Sequence, residues 1–214
     1  MEIENHKEEV PFEHYEELFR KADAREMAAR CGAMWDGKEF FVTLLGKTYA
    51  ISHPVYGIRE MNPPESPAAT HPPLGKGGIG LQLQTFLLRF LLESKDVAWQ
   101  GGWKTFREMP WGELYIKPYT GRVLTRAAFT FGTRLSAFKA ACEKMGAVAV
   151  SHGDAGYQFQ LIGGYAMQIL VWEGDDEFPP SAQVLYSDNF ETGFAPEDRV
   201  VAGDILITAI KGNM

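Results

Sequence analysis

The sequence predicts an α+β fold: one domain over residues 1–214, with an antiparallel sheet of about five strands packed by helices. Three observations predict it. Gly163-Gly164 separates two β-rich runs within 156–172 by the two residues of a tight hairpin turn, and a second pair of β-runs surrounds Gly46-Lys47 within 39–52. No internal repeat and no linker divides the chain. The 214 residues, 45% apolar and 13% aromatic, suffice to bury roughly 70% of the surface that the unfolded chain exposes.

Taken in order, VPFEHYEELFRKA has apolar residues at helical spacing, and DAREMAARCG starts a second helix with Asp23 as N-cap, Glu26 three residues on and Gly32 as its stop. KEFFVTLLGKTYAIS is the first hairpin, with Asp36-Gly37 as a turn before it. Residues 53–78 hold six of the twelve prolines and no periodicity, so they are expected to form a long Pro/Gly-rich loop. A strongly apolar helix runs from Gly80 to Ser94, and WQGGWKTFREMPWGELYIKPYTG reads as a turn-rich aromatic stretch. RVLTRAAFTFGTRLSAFKAACEKMG is one long helix or two, with Gly132 as the break and Gly146 as the C-cap. The second hairpin and a strand at 182–187 follow. A closing helix begins at Pro196, followed by Glu197 and Asp198 in its first turn.

The net charge of −7 is unevenly spread: residues 99–139 carry seven Lys/Arg against two Glu, and 143–214 carry eleven Asp/Glu against three Lys/Arg. An acidic chain is a poor general polyanion binder, so no nucleic-acid partner is expected, although the basic segment could hold one small anion. Cys31 and Cys142 stand alone, without C-x-x-C or a histidine at ligand spacing, which argues against a disulfide framework or structural metal. MEIENHKEEV lacks the apolar core of a signal peptide, and the apolar run around LQTFLLRFLLES is interrupted by Arg89 and too short to span a membrane. A soluble cytoplasmic protein is expected.

Two groups of residues are candidates for chemistry. If Ile162 faces Tyr165 across the glycine turn, Asp154 falls opposite Glu173 and His152 opposite Asp175 at the open end of the hairpin. Directly opposed carboxylates repel, and the strain is relieved by a shared proton, a cation or hydrogen-bond donors. One reading is therefore an enzyme site, with Asp154, Glu173 and Asp175 as ligands of an oxygen-loving divalent ion or as a proton-transfer set tuned by His152. The plainer reading is a tight turn at Gly174-Asp175-Asp176 whose carboxylates cap backbone N–H groups.

The second group is the basic aromatic segment. Trp99, Trp103, Trp111, Tyr115 and Tyr119 interleave with Lys104, Arg107, Lys117 and Arg122, a composition suited to stacking on and pairing with a planar anion, and equally to plugging the core. Trp103, Arg107, Lys117 and Arg122 are its ligand-binding candidates. LGKGGIGLQ resembles the deviant P-loop of the nitrogenase iron protein, but Leu81 and Gln82 stand where the phosphate-binding lysine and the magnesium-binding hydroxyl belong. It retains only a glycine-rich helix start able to receive an anion, with Lys76 beside it. His53 and His71 each precede a proline in the irregular loop and could be exposed ligands; His6 and His14 have no partner by spacing.

GGWKTFREMPWGELY, FGTRLSAFKAACEKMGA, the Gly153-Asp154 step and VWEGDDEFPPSAQVLYSDNFETGFAPEDRVVAGDIL, in this order, resemble the uncharacterised family called domain of unknown function 3786, which occurs mainly in anaerobic bacteria and archaea. The resemblance implies a single intracellular domain, bacterial or archaeal, and supplies no reaction. The expectation is a non-catalytic accessory protein that binds a small anionic ligand or a protein partner, with the metal- or carboxylate-dependent enzyme as the alternative. Cofactor and oligomeric state stay open.

Overall fold

A computed structural model describes residues 6–61 and 79–214, excepting the side chains of residues 6–10. Lys76, His71 and most of the expected irregular loop lie outside the described residues.

Helices α1 (His6–Lys21) and α2 (Ala24–Cys31) open the chain. The Asp23 carboxylate accepts the Arg25 and Glu26 N–H groups at 2.9 Å, a cap of about 1 kcal/mol, and Gly32 ends α2 in the left-handed conformation. An antiparallel meander follows: β1 (Met34–Trp35), β2 (Glu39–Leu44), β3 (Lys47–Ser52) and β4 (Gly57–Met61). Asp36 makes the first turn by accepting the Lys38 and Glu39 N–H groups at 2.8 Å. The β2–β3 turn sits one residue earlier than expected, on Leu45-Gly46, with both residues at positive φ (47° and 80°) and Leu44 paired to Lys47. Leucine is held there because its side chain is buried and its N–H bonds the Leu161 carbonyl at 2.7 Å. β4 also corrects the loop expected over 53–78: a turn at 53–56 leads into this strand.

The apolar run forms α3 (Leu81–Glu93). The aromatic stretch after it, expected to be turns, contains β5 (Trp103–Thr105) and α4 (Gly112–Tyr119). Pro118 lacks an N–H for the helical ladder, and α4 gives way to a π-helical turn over Thr120–Thr125 before α5 (Arg126–Phe131). The break at Gly132 separates α5 from α6 (Leu135–Lys144). Then come β6 (Val148–Val150), β7 (Ala155–Ile162), β8 (Tyr165–Trp172), β9 (Ser181–Ser187) and the closing helix α7 (Pro196–Asn213).

Among the described residues the sheet has nine strands, not about five, ordered β4-β3-β2-β7-β8-β9-β5, with β1 added to β2 and β6 to β7, and every pairing is antiparallel. The four extra strands are two to five residues long. The two halves of the sheet meet at a single residue pair, Leu44 with Ile162.

One face carries the helices. Tyr157 reaches Glu143 of α6 at 3.0 Å, and Tyr186 donates to the Arg199 carbonyl of α7 at 3.0 Å, so these tyrosines and their cross-strand partners Ile169 and Met167 point into the core. One apolar cluster runs through this layer from Phe19 to Ile210. Arg89 of α3 pairs with the buried Asp198 of α7 at 2.9 Å and lies over the Tyr15 ring of α1, tying three helices together. Burial pushes the Asp198 carboxyl up to about 7, against the opposing pull of Arg89.

Candidate functional site

Gly163-Gly164 form the expected turn, and Ile162 does face Tyr165, but a β-bulge between Gln160 and Ile162 then shifts the ladder by one residue. Below it Gln160 pairs with Ala166, Tyr157 with Ile169 and Ala155 with Val171. The expected opposition of Asp154 to Glu173 and of His152 to Asp175 is therefore lost. The Asp154 N–H bonds the Val171 carbonyl at 3.0 Å, and its carboxylate accepts the Glu173 N–H at 2.8 Å. Asp175 accepts the Glu177 and Phe178 N–H groups at 2.9 and 2.7 Å, and these bonds, the Phe178 one foremost, hold its carboxyl below the usual range. All four candidates of this region, His152 included, are exposed. Among the described residues no three His, Cys, Asp or Glu side chains gather where they could hold a metal ion.

His152 instead joins a residue of the other group. Trp103, Ala149, Val150, Ser151, His152, Gln168 and Leu185 line a hollow of about 560 Å³. Trp103 lies on β5 and Val150 on β6, with β9, β8 and β7 between them, which on a flat sheet would put them ~19 Å apart. To line one hollow, the sheet must coil. The concave face is the one opposite the helices: Val148 pairs with Gln158, Gln158 with Gln168, Gln168 with Leu185 and Leu185 with Thr105, and all of these share a face.

Two glycines and one carboxylate set the rims. At Gly156 an added methyl would lie 2.5 Å from the His152 carbonyl oxygen and 2.8 Å from a Val150 methyl, so only glycine lets the 151–153 loop fold down over the strand. Gly153 turns that loop at φ +75°, where a side chain would also press on the Val171 carbonyl at 2.9 Å. Opposite, Asp188 accepts the Gly102 and Gln100 N–H groups at 2.8 and 3.1 Å and fixes the loop that leads into Trp103. Trp99 meets Trp103 edge-to-face at 4.8 Å between centroids, an arrangement that occupies at most one face of the Trp103 ring.

The floor contains an uncommitted amide. Gln168 is 8% exposed, and among the described residues its side chain makes one hydrogen bond, to Gln158 at 3.5 Å, the long limit for such a bond. By contrast, the neighbouring buried polar network is saturated. Ser187 accepts the Ala166 N–H and donates to Asn189, whose amide bonds the Val97 and Gly164 carbonyls at 2.7 and 3.1 Å.

The other members of the basic group go elsewhere. Arg107 lines a second hollow of about 350 Å³ with Thr105, Phe106, Ile116, Tyr119, Thr120, Leu124 and Gln183, and pairs with the exposed Glu113 at 3.2 Å. Lys117 is exposed on α4, and Arg122 is ion-paired to Asp204 of α7. His53, read as solvent-facing and a candidate exposed ligand, is instead half-buried, packs against Phe19 and bonds its carbonyl at 3.0 Å. Sequence reasoning missed Gln168 and Ser151 as site residues. The spacing S-H-G-D-A-G, with two glycines bracketing a loop, was the one local signal available for the latter.

No curated protein and no solved structure matches this chain. The family described as Domain of unknown function (DUF3786) matches residues 23–209, most of the length, and the chain belongs to that family.

Proposed function

We propose that this protein is a non-catalytic binding module, and that its ligand is a planar small molecule held on the concave face of the sheet. One observation carries the reading: the coiled sheet brings the partly exposed Trp103 and the imidazole-bearing loop of His152 to the rims of one hollow over the under-bonded, nearly buried Gln168. An apolar stacking wall with a few convergent polar groups is the usual make-up of a small-ligand site. The metal- or carboxylate-dependent alternative has no comparable support, because the three carboxylates it needs are exposed and two of them, Asp154 and Asp175, are bonded to backbone N–H groups. Two buried free thiols, Cys31 and Cys142, support placing the module in a reducing compartment such as the cytoplasm.

Thermal-shift measurements with a panel of planar compounds test it, on the wild type and on Trp103→Ala. A compound present at a hundred times its Kd stabilises by about 2.7 kcal/mol, roughly 5–10 °C for a chain of this size. At least one such shift is expected in the wild type, with little or none in the variant. A panel without any shift, or shifts that survive the substitution, would contradict the proposal.

A further inference from the structure

The two hollows are lined in part by the same two strands. Trp103 and Thr105 are alternate residues of β5 on one face, the first lining the larger hollow and the second the smaller. Leu185 and Gln183 stand in the same relation on β9, since their partners Gln168 and Leu170 are alternate residues of β8. One strand repeat, about 7 Å, therefore separates the two hollows along two adjacent strands.

Their electrostatics are one-sided. The chain has 28 Asp and Glu residues and a net charge of −7, yet among the described residues no carboxylate lines either hollow. The charged side chain that does is Arg107. Its partner Glu113 is 68% exposed and Arg107 itself 62%, so the pair is a solvent-screened one of little strength, which a better-placed anion can replace. The two hollows thus present His152, the Trp103 ring and, past the hydroxyl-bearing Thr105, a guanidinium whose fork suits two oxygens of a phosphate or carboxylate.

Building on the binding reading above, we propose that the ligand has two parts: a planar heteroaromatic ring stacked on Trp103 and, about 7–10 Å away, an anionic group on Arg107. Neither hollow alone explains why the basic aromatic segment combines a strand tryptophan with an arginine four residues later. One elongated ligand engages both.

The test compares matched pairs of probes, riboflavin with flavin mononucleotide and adenosine with adenosine 5′-monophosphate, by isothermal titration of the full chain. Within at least one pair the phosphorylated member is expected to bind at least about tenfold tighter, the effect of one charge-assisted contact. That advantage is expected to shrink as salt is raised. Arg107→Ala is expected to erase it while leaving the uncharged member's affinity within about threefold, and Arg107→Lys to restore part of it. Trp103→Ala is expected to weaken both members. Equal affinities within every pair that binds, or an advantage that survives Arg107→Ala, would overturn the two-part ligand while leaving ring binding intact. Binding of neither pair would overturn this proposal, and a planar panel that is silent as well would remove the reading beneath it.

Discussion

The turn after β8 and the concave face of β5–β9 are both rich in polar side chains, but they use them differently. In the turn, Asp175 accepts two backbone N–H groups at 2.7 and 2.9 Å, and Asp154, in the loop before β7, accepts the N–H of Glu173 at the start of the turn at 2.8 Å. On the concave face, Gln168 is nearly buried with one hydrogen bond at 3.5 Å among the described residues, and the partly exposed Trp103 lines the hollow. Carboxylates committed to backbone donors in water stabilise a turn and have little left to offer a ligand, whereas a sheltered amide with unspent capacity gains from one. The contrast teaches that the number of titratable groups in a stretch says less about a site than what remains unsatisfied in a concavity.

Substitutions should separate the two regions. The largest loss is expected at Gly156: its alanine variant has to push the His152 carbonyl off the strand, costing about 1–3 kcal/mol in urea unfolding and abolishing probe binding together with the rim it displaces. Ser187→Ala leaves the Ala166 N–H and the Asn189 carbonyl oxygen without their buried partner, at a similar or slightly smaller cost of about 1–2 kcal/mol.

The next effect sharpens the contrast by pH. Asp198 is a carboxyl raised by burial to about 7, so the folded state holds its proton more tightly than the unfolded chain does. Stability from this group is full below about pH 4 and falls as pH rises toward 7, and Asp198→Asn should flatten that slope. Asp175 has the opposite sign: its carboxyl is lowered by backbone hydrogen bonds, so its contribution is present above the ordinary carboxylate range and is lost on acidification. Asp175→Asn should give the smallest change of the series and leave probe binding untouched. If Asp175→Asn matched Gly156→Ala in either readout, the two regions would not differ in the way described.

Much of the fold was legible wherever a local signal was strong. Asp23 and Gly32 bound α2, Gly163 makes the long hairpin, Pro196 starts α7, and the five strands with a sustained β pattern were read directly. β1, β5 and β6, of two or three residues each, are too short to display alternation and exist through their neighbours. Leu45 hid a turn inside an apolar run, because its left-handed backbone is imposed by burial and a bond to Leu161 rather than by residue type. The bulge next to Leu161 carries no glycine to announce it, and that one residue undid the acidic juxtaposition. Trp103, Arg107, Lys117 and Arg122 were singled out by composition, and His152 by the expected hairpin register. What composition could not supply was the coiling of the sheet, which joins Trp103 to His152, or the salt bridge that ties Arg122 to Asp204.

Amide chemical-shift mapping of the ¹⁵N-labelled chain, titrated with flavin mononucleotide, tests the central claim most directly. The account predicts perturbations concentrated at Trp103–Arg107, Val150–His152, Gln168 and Gln183–Leu185, with residues 173–178 unmoved. Shifts centred on the acidic turn, or spread evenly over the molecule, would contradict it.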